Sequence, residues 1–175
     1  MVAEPTPIRG RSSLLPHGLE PLQRYQGVAA LAADLGRCAE QGWTIIDLDA
    51  DGWADRDRLH ADLADALDFP DHYGRNLDAL ADSLGDLAAG RLRVGPQEPG
   101  AVLVVRRLDQ FLTQDPRPAS TVVALLDGAG RQALRYGWPL AVFLQTEDPA
   151  LEIPMPHPPT SASVPWNRSE RHNGR

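Results

Sequence analysis

This chain predicts an α/β fold built on a small parallel sheet, and three observations predict it. Short apolar runs containing β-branched residues, Trp43–Leu48, Ala101–Val105 and Leu140–Leu144, read as strands. The segments between them carry apolar residues at helical spacing. Ala101–Val105 is apolar without alternation, as a strand buried on both faces of a helix-covered parallel sheet must be. Strands separated by helices connect by right-handed crossovers, so a three-stranded parallel sheet is expected.

The elements follow in order. Residues 1–26 contain Pro, Arg and Ser with no sustained period and read as a flexible N-terminal segment. Over 27–41, Val28, Leu31, Leu35 and Cys38 recur at helical spacing and Gly42 stands where a helix ends, giving an additional helix that covers a face of the sheet. Cys38 is read there as a buried apolar position. Leu59, Leu63 and Leu67 mark a helix over Asp57–Leu67, which Pro70 stops. A second helix runs from Leu77 to Ala88, with Leu77, Leu80, Leu84 and Leu87 on one face. A short turn or helix at Asp109–Leu112 leads to a Pro-containing loop at 115–118. Ser120 or Thr121 then caps a helix through Tyr136, which Gly128 and Gly130 weaken. Residues 147–175 are proline-rich and read as a disordered tail, leaving 42–146 as the folded domain.

Composition narrows the function. One cysteine permits neither an internal disulfide nor a cysteine-based zinc site. The first residues lack the apolar core of a signal peptide, and no run reaches membrane-spanning length, so a cytoplasmic protein with no membrane role is expected. The net charge of −7 is concentrated: residues 47–86 hold twelve aspartates against three arginines, whereas 87–146 hold seven arginines against four acids. An acidic lobe repels phosphates and argues against direct nucleic-acid binding; it suits a basic protein partner steered in by the field. There is no GxGxxG, Walker loop or HExxH, and no cofactor or metal is implied.

The charge is most patterned in Phe69-Pro-Asp-His-Tyr-Gly-Arg-Asn-Leu-Asp-Ala-Leu-Ala-Asp-Ser-Leu84. Asp78, Asp82 and Asp86 follow one another at i, i+4, i+8 opposite the leucine face, a spacing that costs a few tenths of a kcal/mol per like-charged pair. Gly74 permits a turn with positive φ, Asn76 is a good N-cap, and Asp78 falls in the first turn, where the helix dipole favours a carboxylate. The segment is a shaped loop running into a helix that presents negative charge.

These residues resemble the signature of the barstar family, intracellular inhibitors of a secreted bacterial ribonuclease, and the similarity extends loosely over about residues 42–146. The resemblance implies a small three-layer fold, a three-stranded parallel sheet flanked by helices, here with an extra N-terminal helix. It implies a non-enzymatic, monomeric inhibitor that plugs the active site of a basic ribonuclease or related toxin. The partner-binding residues would be Asp71, His72, Tyr73, Gly74, Arg75, Asn76, Asp78, Asp82 and Asp86. His72 stands where the family has a contacting tyrosine, Ala81 and Leu87 where it has tryptophans, Asp86 on a glycine, and Gln132 near an acidic contact. Two other readings remain: an interaction or immunity module for a basic partner that is not a ribonuclease, and a metal-dependent enzyme using the aspartates.

Overall fold

The computed structural model describes residues 15–16, 19–91 and 99–153, and the statements below concern these. The elements are β1 (Leu22–Gln26), α1 (Ala29–Glu40), β2 (Thr44–Asp49), α2 (Arg56–Leu67), α3 (Leu77–Ala88), β3 (Ala101–Arg106), α4 (Asp109–Gln114), α5 (Pro116–Tyr136) and β4 (Leu140–Thr146).

The sheet has four parallel strands in the order β1-β4-β3-β2, not the expected three. The fourth strand comes from the stretch read as flexible: Leu22 lies opposite Val142 and Gln26 opposite Thr146. Its sequence, Leu-Gln-Arg-Tyr-Gln, buries only Leu22 and Tyr25. An edge strand this short, with two apolar residues, leaves too little periodicity to read. The expected disorder of 1–14 and of 154–175 lies outside the described residues.

Strand order dictates the layers. The chain steps from β2 to β3 to β4 in one direction across the sheet, while the step from β1 to β2 spans it in the other. Right-handed crossovers therefore put α1 on one face and α2 to α5 on the opposite face. The buried residues divide accordingly. Val102, Val104, Ala141, Phe143 and Tyr25 pack with Leu31 and Cys38 of α1. Leu48, Leu103, Val105, Val142 and Leu144 pack with the leucines of α2, α3 and α5. Every residue of β4, and all of β3 but Arg106, is buried.

Helix α5 begins at Pro116, so the expected loop at 115–118 is its first turn. Proline suits that position because its missing N–H would have no intrahelical partner there and its φ is already helical. Gly130, read as a weakness, sits where α5 lies close to neighbouring backbone: a Cβ there would lie 3.0 Å from the Leu140 carbonyl oxygen and 3.3 Å from that of Pro21.

Two glycines should respond oppositely to a methyl group. At Gly128, in the same helix, an added Cβ meets nothing within 4 Å, so Gly128→Ala should raise stability by about 0.5–1 kcal/mol. At Gly100 the Cβ would sit 2.8 Å from three atoms of the Trp43 ring, so Gly100→Ala should cost about 1–3 kcal/mol. Urea denaturation of both variants checks the packing; a neutral Gly100→Ala would contradict it.

Candidate functional site

The loop from Phe69 and helix α3 form one pre-set unit. Asn76 is the N-cap: its Oδ1 accepts from the Ala79 N–H at 2.8 Å, and its Nδ2 donates to the Gly74 carbonyl at 3.2 Å. The far end is held twice. Gly90, at φ +69°, turns the chain so that the Arg91 N–H donates to the Asp86 carbonyl at 2.9 Å. The buried Trp138 indole donates to the Ala88 carbonyl at 2.9 Å. Leu80, Leu84 and Leu87 are fully or almost fully buried. Burying such leucines is worth about 1.5–3 kcal/mol each, so the helix cannot rotate without losing its core face.

The positive φ expected of Gly74 is found one residue later, at Arg75, φ +47°. Gly74 is needed for space instead: a Cβ there would lie 3.3 Å from both the Ala79 Cβ and the Asn76 Nδ2. A larger residue would press on the cap itself.

Tyr73 is half-buried. Its hydroxyl lies 2.5 Å from His60 Nδ1, and its ring packs against Phe69 at a centroid distance of 4.9 Å. Burial pushes its hydroxyl up to about 12, against the lowering effect of Arg75. His60, on α2, is 4 % exposed, and burial lowers its pKa. Its spacing of one from Leu59 gave no sign of this. The partner is thirteen residues away, so only the fold could reveal the pair.

Asp71, His72, Gly74, Arg75, Asn76, Asp78 and Asp82 are exposed. The acidic stripe is not uniform. Asp78 and Asp82 make no ion pair among the described residues, whereas Asp86 is bound by the Arg91 guanidinium at 2.7 Å. Much of the remaining acidic lobe is also neutralised. Arg106 grips Asp47 with two nitrogens at 2.8 Å, and Arg107 pairs with Asp49 and Asp51. Arg107 thereby holds Asp49 below the usual carboxylate range. The uncompensated negative charge on this unit is thus Asp71, Asp78 and Asp82. Of the positions that depart from the family pattern, Leu87 is buried in the core, and Ala81 and Gln132 are half-buried.

Among the described residues no group of three or more His, Cys, Asp or Glu is arranged to hold a metal ion. No helix there is long and apolar enough to cross a membrane.

Residues 43–145 match the family model for barstar, the barnase inhibitor. A stretch of 26 residues is 77 % identical to YrdF of Bacillus subtilis (strain 168), described as a candidate ribonuclease inhibitor; it covers 15 % of this chain and 29 % of that protein. The chain thus spans under a third of that curated relative's length. Drosophila ORC bound to DNA superposes with a TM-score of 0.43 at 21 % identity, over 73 % of this chain and 32 % of that one, too remote to inform the function.

The His60–Tyr73 pair has a consequence for stability. Because the folded-state pKa of His60 lies below its unfolded value, its contribution is complete above about pH 6.5 and is lost as the pH falls through the folded pKa, where the unfolded chain binds the extra proton. Unfolding measured from pH 8 to pH 4.5 should show that loss, and His60→Gln should remove it. Tyr73→Phe, which strips the buried ring nitrogen of its partner, should cost about 1–3 kcal/mol at pH 8.

Proposed function

The chain belongs to the barstar family, and from that membership we propose that it is a cytoplasmic, non-enzymatic inhibitor of a basic ribonuclease, binding one-to-one and plugging the active site with residues 71–86. The observation that supports this most directly is the pair Asp78 and Asp82, exposed, without an ion pair among the described residues, and carried by a helix fixed at both ends. A ribonuclease cleft gathers cations to bind phosphate. Two carboxylates one helical turn apart offer those cations charge-assisted hydrogen bonds in place of RNA. Because the loop and helix are already ordered, little conformational entropy is lost on docking.

The departures from the family pattern bear on which ribonuclease is bound. His72 is exposed beside Tyr73 and can stack or hydrogen-bond in place of a tyrosine. Ala81 and Leu87 contribute no exposed aromatic anchor, so electrostatics must carry a larger share of the affinity.

Inhibition of a panel of small guanyl-specific ribonucleases tests the reading. Asp78→Ala and Asp82→Ala should each weaken inhibition by about 2–5 kcal/mol, roughly 30-fold or more, because each leaves a partner cation buried without its charge. Asp86→Ala should cost less than about 1.4 kcal/mol, under tenfold, since Arg91 already occupies that carboxylate. Added salt should weaken binding in the wild type. No inhibition across the panel would remove the ribonuclease and leave a different basic protein as the partner.

A further inference from the structure

Beside the acidic helix lies a cleft of opposite character. It occupies about 290 Å³ and is lined by Arg56, His60, Arg75 and Asp78, over apolar walls that include Leu59 and Phe111. Elsewhere in the molecule Arg37, Arg58, Arg91, Arg106, Arg107 and Arg131 all form ion pairs. Arg56 and Arg75 are exposed and, like Arg24 and Arg117, form none among the described residues. Two unneutralised guanidinium groups converge on a small apolar cleft in a chain whose net charge is −7.

The backbone at Arg75 makes the same point independently. Its φ of +47° is one that glycine or asparagine adopts at far less cost. Arginine is held there at the expense of local strain, and its side chain borders both this cleft and a second one lined by Asp68, Pro70 and Asp71. His60 adds a third polar group. Its Nδ1 is engaged by Tyr73, and its Nε2 has no hydrogen-bond partner among the described residues.

We propose that this cleft receives a carboxylate side chain, aspartate or glutamate, of the protein that docks on α3, held by Arg56 and Arg75 with its aliphatic stem against Leu59 and Phe111. The choice of occupant follows from charge complementarity and from position: Asp78 belongs both to the acidic docking face and to the rim of the cleft. A planar guanidinium matches a carboxylate bidentately, which suits arginine better than a bare positive patch would. Asp78 repels the incoming anion, but two guanidinium groups outweigh one carboxylate. Asp78 at the same time attracts a cation to the rim. The surface is therefore bipolar and selects a partner presenting an acidic residue next to its basic cluster. This rests on the reading that α3 and its loop are the docking face; it does not require the partner to be a ribonuclease.

The test uses the full-length protein labelled with ¹⁵N-arginine and two uncharged-backbone probes differing only in the acid, N-acetyl-glutamic acid amide and N-acetyl-glutamine amide. The glutamate probe should shift the Arg56 and Arg75 Nε–Hε signals saturably, and the glutamine probe should not. Arg56→Ala and Arg75→Gly should each weaken the glutamate probe about fivefold or more, while Arg75→Gly leaves the melting temperature unchanged or higher because glycine relieves the strained φ. Asp78→Asn should tighten the same probe, although it weakens docking of a basic partner. Equal response to both probes, no saturable shift, or undiminished affinity in Arg75→Gly would overturn the proposal. The ribonuclease panel fails independently: a cleft that takes the glutamate probe while no ribonuclease is inhibited rejects the nuclease and keeps the cleft.

Discussion

Everything in this molecule depends on β3 and β4 being buried on both faces. Val102, Val104, Ala141 and Phe143 point one way and Leu103, Val105, Val142 and Leu144 the other, and all are excluded from water. A sheet with two apolar faces requires helices on both, and right-handed connection supplies them only if the chain enters from the far edge. Strand β1 makes that entry possible. Because it lies beyond β4, the connection to β2 must cross the whole sheet, and α1 covers the face the other helices cannot reach. The opposite face is then free to carry α2 to α5, with α3 held against α5 so that one side of it is left to solvent.

What could be read from the sequence follows the strength of the local signal. Strands β2, β3 and β4 and helices α1, α2 and α3 were legible because each carries its own apolar signal, and the Asn76 cap because an asparagine before an amphipathic run has few other uses. The fourth strand was not legible, since Leu22 and Tyr25 become meaningful only once Val142 to Thr146 lie alongside. The start of α5 was misread because Pro116 is a breaker inside a helix and an initiator at its first turn, and position alone distinguishes the two. Within the loop, the sequence located the turn but not its left-handed residue, which is Arg75 where Gly74 was the natural choice. The contacts that fix the site, His60 with Tyr73 and Trp138 with Ala88, join residues 13 and 50 positions apart. No local pattern encodes such pairs.

Charge shows the same division between what composition reveals and what only geometry settles. Counting acids and bases gives an acidic lobe and a mildly basic one. The fold then brings Arg106 and Arg107, at the end of β3, against Asp47, Asp49 and Asp51 at the end of β2 and just beyond it. Exposed pairs of this kind contribute little to stability, about 0–1 kcal/mol each. Their effect on the field is larger, because they cancel the acidic lobe at one end and leave it intact at the other. Asp86 is cancelled in the same way by Arg91. On α3 itself Asp78 and Asp82 remain without an ion pair among the described residues, as Asp71 does in the loop before it, with Arg56 and Arg75 beside them. The exposure of Asp78 and Asp82 on a helix capped at one end and clamped at the other is what the proposed docking face requires, since under that proposal the partner supplies the opposite charges.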